Sequence, residues 1–382
     1  VSASKSSTAW RDRSRSARVA ITALFLGWLG FALICVPAGL LLLCSSVTAN
    51  GRLCALSALL LSFAPLAFFR HGTRKWAWFG LVVAFALVLF VAFRSPPFTD
   101  QDGAFQSAPT RSATPNFLSP ARLVPELDQH LMGANLFGWI DPFIDRQQAT
   151  ELKQVIREVY EPMREDPDFA ECGNALHLCY RDMVLGSRPY HQYSYIPESE
   201  KPLPVILFLH GSLGNFKGYL WQWKQLAGEQ QIAIVAPSFG IGDWNRRHVN
   251  QAAETAIAWI ENNPHLDQHR VTLAGLSNGG VGVSNAAEHW EKRFERIVYI
   301  SPVVVGAPGN NARFAKAVGD TPIVVVSGRD DRRVPVEPLE RFCDDLRVHD
   351  VNVTTTFLPD RDHFLFFSDF DAVRRVLANQ QR

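Results

Sequence analysis

The stretch VTLAGLSNGGVG, Val271 to Gly282, decides how the second half of this chain folds. It passes from a short apolar, β-branched segment into the turn Gly275-Leu276-Ser277-Asn278-Gly279, and then into small residues that can start a helix. In a chain of 382 residues the five-residue pattern G-x-S-x-G arises by chance roughly one time in ten, so the pattern alone decides little. Its context decides more. At the C-terminal end of a strand, two glycines permit a sharp strand-to-helix turn that projects the serine hydroxyl, with a helix N-terminus beneath it. The alternative is a glycine-rich turn carrying an incidental serine.

The surroundings of this stretch repeat its pattern. YHQYSYI (190–196) alternates like a strand, and PVILFLH (204–210), IAIVAP (232–237), RVTLAGL (270–276), RIVYIS (296–301), PIVVVSG (322–328) and VNVTTTFL (351–358) are short apolar runs. Helical spacing lies between them, as at Ala253, Ala256, Ile257 and Ile260, and over Val336 to Val348. Buried strands alternating with amphipathic helices predict an α/β fold, a mostly parallel central sheet covered by helices on both faces. Ligands of such folds bind beyond the C-terminal ends of the strands.

A serine hydroxyl becomes a competent nucleophile when an imidazole accepts its proton and a carboxylate orients that imidazole. Later strand ends supply both groups. RDDRRVP after the PIVVVSG strand offers Asp330 and Asp331, and PDRDHF after the last strand offers His363. His289 lies on the helix after Ser277, and His349 precedes its strand; neither is placed to reach that edge. Asp331 is preferred to its neighbour because of its place between Gly328 and Val334-Pro335, while Asp360 and Asp362 read as solvated loop charges. An acyl-transfer oxyanion needs backbone N–H donors. The amide of Asn278 is one candidate, and HGSLGN (210–215) offers the amide of Ser212 or Leu213 as another. His210 is expected to fix that loop rather than to transfer protons.

The ordered set LFLHGSLGN, GLSNGG, GRDDRRVP and RDHF resembles the α/β-hydrolase superfamily, in particular its compact serine esterases of the carboxylesterase/phospholipase, dienelactone-hydrolase-like and polyester-depolymerase-like kinds. The resemblance covers residues 190–382. It implies Ser277 as nucleophile, Asp331 as acid and His363 as base; no cofactor is expected, and no metal, because His177 beside Cys172 and Cys179 offers too few ligands. The separations of 54 and 32 residues between these three leave no room for a large lid, so an open site is expected. In FGIGDWNRRH (239–248), Trp244, Arg246 and Arg247 are candidate substrate contacts: Trp244 as an acyl-pocket wall or a packing anchor, the arginines as partners of an anionic group or as solvated charges. Trp221 and Trp223 read as helix packing.

The first 93 residues have a different character. Val19–Gly51, Leu53–Phe69 and Trp76–Phe93 contain no charged residue. Each is long enough to cross a hydrocarbon core of about 30 Å, the second only just. A cleaved signal peptide would account for the first run alone, which is long for that role. Basic residues flank the first run on its N-terminal side (residues 1–18) and fill the second loop, RHGTRK, whereas the first loop has only Arg52. Basic loops favour the cytoplasm, so everything after Arg94 is expected outside it, on the far side of a bacterial inner membrane or plasma membrane. Residues 94–120, rich in Pro, Ser and Thr, read as a linker, and 121–189 as an extension with one helix over Gln147–Tyr160.

A net charge of +1 and the absence of a basic stripe with interleaved aromatics argue against a nucleic-acid partner. Outside the cytoplasm, Cys172 and Cys179 become candidates for a disulfide. The expected activity is therefore that of a membrane-anchored serine hydrolase acting on a small or lipid-like ester. A serine peptidase on the same fold, or a silent hydrolase-like binding domain, are the competing functions; oligomeric state is not legible.

Overall fold

The computed structural model describes residues 15–69, 72–95, 104–109, 118, 120–170, 191–242, 244, 246–304 and 311–379. They form two compact units, one of residues 1–94 with 123–132, the other of residues 95–122 with 133–382.

In the first unit, α1 (Arg15–Ser45), α2 (Ala49–Phe63, continued by a 3-10 turn over Ala64–Phe69) and α3 (Arg74–Arg94) are the three apolar runs. All three are long and apolar enough to cross a membrane. Large side chains such as Leu24, Ile34, Val82 and Phe93 face outward, as they would towards lipid. Thr48 caps α2 by accepting from the Gly51 amide at 3.1 Å. The buried carboxylate of Asp128 accepts from the Val47 amide at 2.8 Å and from the Thr48 hydroxyl, so a negative charge sits at the start of α2 where the free amides favour it. A Cβ on Gly51 would stand 2.1 Å from that carboxylate, and only glycine admits it. Val124 packs with Leu42 and Ala55, and Leu123 with Val91 and Ala92.

The second unit is built on an eight-stranded sheet: β1 (Phe105–Pro109), β2 (His191–Tyr195), β3 (Leu203–Leu209), β4 (Ala233–Ser238), β5 (Leu266–Leu276), β6 (Arg296–Ile300), β7 (Ile323–Gly328) and β8 (Val353–Leu358). The spatial order is β1-β2-β4-β3-β5-β6-β7-β8, with β1 and β2 antiparallel and β3 to β8 parallel. All seven strands expected from the apolar runs are present. β1 was not expected: it lies inside residues 94–120, which read as linker. Phe105–Pro109 pairs only with β2, and an edge strand needs neither a continuous apolar run nor the N–H that proline lacks.

Successive side chains of a strand point to opposite faces, and the two faces of this sheet have separate cores. Leu207 and Leu209 of β3 pack with Val235, Leu273 and Tyr299 beneath α9 (Arg246–Glu261), α10 (Gly279–His289) and α12 (Val336–Val348). Phe208 points the other way, into an aromatic cluster with Tyr219 and Trp223 of α8 (Lys217–Gln230) and Phe366 of α13 (Leu365–Ser368). The last helix, α14 (Phe370–Asn379), adds Phe370 to this cluster. On the far edge, half-buried β8 is shielded by Arg347, whose guanidinium donates to the Val353 carbonyl and Thr355 hydroxyl at 3.2 Å each. Short helices α4 (Pro120–Leu123) and α7 (Pro167–Ala170) and the eight-residue α11 (Asn311–Val318) complete the described residues, with the hairpin of α5 (Glu126–Ile140) and α6 (Arg146–Glu165). The helix expected over 147–160 is α6, started by a capping box of Asp145 and Gln148.

Candidate active site

Parallel pairing aligns the C-terminal ends of the strands. Leu209 of β3 lies opposite Gly275 of β5, and Gly275 opposite Tyr299 of β6, so the loops after β3, β5, β7 and β8 open on one edge. At the end of β5, Ser277 has φ +52°, a left-handed conformation that a serine adopts only when its surroundings enforce it. Its amide donates to the Ile300 carbonyl at 3.0 Å, and its carbonyl accepts from the amides of Gly280 and Val303 at 2.8 Å each. The two flanking glycines are required by space. A Cβ on Gly275 would stand 2.5 Å from the Gly279 carbonyl oxygen, and one on Gly279 would stand 2.0 Å from the Leu209 carbonyl oxygen. This close packing of turn on sheet turns the serine side chain outward from the sheet edge.

The Ser277 hydroxyl lies 3.0 Å from Nε2 of His363, and Nδ1 of His363 lies 2.7 Å from Oδ2 of Asp331. The other oxygen of Asp331 accepts from the backbone amides of Arg333 and Val334 at 2.9 and 2.8 Å. The carboxylate is thus buried, with three donors on its two oxygens, and aimed at the imidazole. Its neighbour Asp330 is exposed and contributes its amide to the Arg361 carbonyl. Gly328 at the end of β7 allows this crossing: a Cβ there would stand 2.0 Å from the Arg361 carbonyl oxygen. The loops bearing Asp331 and His363 are therefore joined by backbone before their side chains meet. Asp362 is more enclosed than a solvated loop charge; burial raises its pKa, and it accepts from the Phe364 amide at 2.9 Å.

Two amides can face an oxyanion here. Those of Asn278 and Ser212 donate to no acceptor among the described residues, whereas the Leu213 amide donates to the Ile241 carbonyl at 2.8 Å. Of the two loop amides named from the sequence, that of Ser212 is thus the one with no acceptor among the described residues. Leu213 instead holds the loop, at φ +77°, with its side chain exposed at the rim. Sequence reasoning missed the role of the Asn278 side chain, whose Nδ2 donates to Ser212 Oγ at 2.8 Å and so links the two donor-bearing loops. It also missed Asn215, buried beneath the loop and donating to the Ala236 carbonyl at 2.9 Å. Contacts between loops 66 or 21 residues apart leave no local sequence signal.

His210 lies apart from the line of Ser277, His363 and Asp331. It is fully buried, with Nδ1 donating to the Gly211 carbonyl at 2.8 Å and Nε2 accepting from the Phe239 amide at 3.0 Å, and burial lowers its pKa to about 4. Trp244 is a packing anchor and no acyl-pocket wall: it is 1% exposed, packs against Gly282, and donates from its indole N–H to the His210 carbonyl at 2.7 Å. Trp223 is likewise in the core, and Trp221 packs edge-on against Phe169. The side chains of Arg246 and Arg247, and both Cys172 and Cys179, lie outside the described residues. Among the described residues no three His, Cys, Asp or Glu side chains converge as metal ligands.

Segment 133–165 also borders the site. Arg333, two residues beyond Asp331, donates to Asp141 Oδ2 at 2.5 Å, and its guanidinium lies 5.6 Å from the centre of the Phe143 ring. Phe364, next to His363, packs against the cluster of Ala134, Ile144, Ala149 and Leu152 that joins α5 to α6.

No family model matches the chain. Among curated proteins it is similar to dipeptidyl-peptidase 5 of Porphyromonas endodontalis, 23% identical over 215 residues, which is 44% of this chain and 31% of that protein. The same enzyme of Porphyromonas gingivalis is 26% identical over 117 residues, 26% of this chain and 17% of that protein. The chain thus spans a third or less of the length of the curated relatives it matches. Similar solved structures include an S-formylglutathione hydrolase from Agrobacterium tumefaciens (16% identity, 50% of this chain and 90% of that one, TM-score 0.41). Others are a dienelactone hydrolase from Klebsiella pneumoniae (16%, 50% and 92%, TM-score 0.43) and a fluorophosphonate-binding serine hydrolase of Staphylococcus aureus (17%, 51% and 93%, TM-score 0.43). The sheet order, the antiparallel β1 and β2 beside six parallel strands, and a serine on the strained turn after β5 give the second unit the α/β-hydrolase fold.

Proposed function

We propose that this chain is a membrane-anchored serine hydrolase that cleaves a carboxylic ester through an acyl-enzyme on Ser277. The observation that carries this reading is the continuous line of hydrogen bonds from Ser277 through His363 to Asp331, at 3.0 and 2.7 Å. His363 Nε2 takes the hydroxyl proton as Ser277 Oγ attacks the ester carbonyl. Asp331 holds Nδ1 protonated and balances the imidazolium charge. The carbonyl oxygen becomes an oxyanion facing the amides of Asn278 and Ser212, which are fixed before the substrate arrives. Collapse of the tetrahedral intermediate breaks the ester C–O bond, and His363 returns its proton to the leaving alcohol. Water then attacks the acyl-serine with His363 again as base, and the acid leaves.

Labelling with a fluorophosphonate probe tests this directly: wild type is expected to react and Ser277→Ala to remain unlabelled while folded. Equal labelling of both, or of neither, refutes the assignment. The likeness to dipeptidyl-peptidase 5 favours a second reading, peptide cleavage by the same chemistry. A panel of matched ester and aminopeptide-type amide substrates separates the two. On the membrane, we infer that α1, α2 and α3 each cross once, with the catalytic unit on the non-cytoplasmic side, because basic residues gather in the tail and second loop. A C-terminal tag accessible in intact cells is the expected result; a tag reached only after lysis overturns this orientation.

A further inference from the structure

Helix α5 is apolar on a side that stands exposed among the described residues. Between His130 and Asp141 the sequence LMGANLFGWI carries no charge. Its Ala134, Phe137 and Gly138 pack towards Ala149 and Leu152 of α6, so this stripe is accounted for by the core. The opposite stripe holds Leu136, Trp139 and Ile140, at the i, i+3 and i+4 spacing of one helical face, and Phe143 follows in the turn after the helix. Trp139 is 83% exposed and Ile140 67%, with Leu136 and Phe143 at 40% and 44%. A scattered exposed leucine needs no explanation; four exposed large apolar side chains within eight residues, including a bare tryptophan, do.

The chain itself points to what covers this stripe. Met132, four residues before Leu136, packs on Leu42, Ala55 and Val124 in the unit of the three apolar helices. Four residues of chain span at most about 14 Å, so Leu136 follows within that reach of a residue packed on those helices. Tryptophan with neighbouring aliphatic side chains is the composition that settles at the boundary of headgroups and acyl chains. The stripe also borders the catalytic residues, since Phe143 lies under the guanidinium of Arg333, two residues from Asp331.

We propose that the Leu136, Trp139, Ile140 and Phe143 face enters the interface of the bilayer in which this chain's own helices sit, and that the substrates are acyl esters presented from that bilayer. The substrate class rests on the serine-hydrolase reading; the membrane contact does not. Burial of such a face contributes to local affinity for lipid without a further anchor, and it shortens the path of a membrane-borne ester to Ser277.

The test uses the full chain reconstituted in phosphatidylcholine vesicles containing a phosphatidylcholine with a photoreactive diazirine on its acyl chain. Irradiation followed by residue-level mass spectrometry is expected to place lipid adducts within residues 136–143, and Trp139→Gln/Ile140→Gln is expected to reduce them several-fold. Adducts confined to residues 15–94, or protein-to-protein cross-links at 136–143 in their place, overturn the proposal; the second result assigns the face to another copy of the chain. In the same vesicles, the ratio of hydrolysis of a long-chain ester in the bilayer to that of soluble p-nitrophenyl acetate is expected to fall about tenfold in the double variant. An unchanged ratio rejects the substrate class. Failure of wild type to react with fluorophosphonate rejects the hydrolase reading alone, because the adduct map is read without any turnover.

Discussion

Asn278 Nδ2 donates to Ser212 Oγ at 2.8 Å, joining the turn after β5 to the loop after β3, whose Asn278 and Ser212 amides are the proposed oxyanion donors. The two amides act on one oxygen only if their loops keep a fixed separation, so this bond between side chains sets a distance between backbones. One neutral hydrogen bond of this kind contributes about 1 kcal/mol. Asn278→Ala and Ser212→Ala, each of which retains its amide, are expected to lower kcat by about fivefold with little change in KM. The double variant should lose no more than either single one. Steady-state kinetics in a double-mutant cycle checks this; additive losses would show that the two side chains act separately.

Asp331 and Asp330 are adjacent, yet opposite consequences are expected from the same change. In Asp331→Asn the amide oxygen can still accept from the amides of Arg333 and Val334, which turns the NH2 group towards His363 Nδ1. His363 then carries its proton on Nε2 and cannot receive one from Ser277; a fall in kcat of about four orders of magnitude is expected. Asp330 is exposed, and Asp330→Asn should stay within about twofold of wild type. The two kcat values, measured with folding monitored by circular dichroism, decide the assignment.

Gly279→Ala places a methyl group 2.0 Å from the Leu209 carbonyl oxygen, and Gly275→Ala one 2.5 Å from that of Gly279. Backbone stands on both sides, so no side-chain rotation relieves either clash. A loss of stability above about 3 kcal/mol is expected for each, with reduced yield and lowered melting temperature. A Gly279→Ala protein that melts like wild type would contradict the packing of turn on sheet.

His210 couples the fold to pH. Burial holds its pKa at about 4 in the folded chain, below the ordinary value of about 6.5 that it regains on unfolding. The unfolded form therefore takes up a proton first as pH falls, and folding loses stability across the window from about 6.5 to about 4, then no further from this residue. The difference amounts to about 3 kcal/mol. Thermal melts of wild type and His210→Gln from pH 8 to 4 are expected to show a steeper decline for wild type in that window, and parallel curves would remove His210 as the cause.

Much of this arrangement is legible along the chain because it depends on short-range pattern. A strand buried on both faces must be continuously apolar, and β3 to β7 announce themselves in that way. A turn that must lie against a carbonyl requires glycine, so Gly275 and Gly279 mark the elbow before any contact is known. β1 escaped notice because an edge strand is subject to neither demand, and its FQSAP sequence resembles the linker around it. Trp244 was ambiguous for another reason: a large aromatic after a strand end suits a pocket wall and a core equally well, and only the burial of its indole against His210 and Gly282 separates them.

By itself the sequence determined the alternation of strands and helices, the three apolar spans, and which residue types stand at strand ends: Ser277, the aspartate pair and His363. Tertiary structure alone decided the direction in which Asp331 meets His363, which loop amide remains open beside Asn278, and that Trp139 and Ile140 of α5 stand exposed. The physical reason is range. Periodicity and steric exclusion act between neighbours in the chain, whereas the direction of a carboxylate, the partner of an amide and the burial of a side chain are set by groups tens of residues away, brought together only when the sheet closes its order.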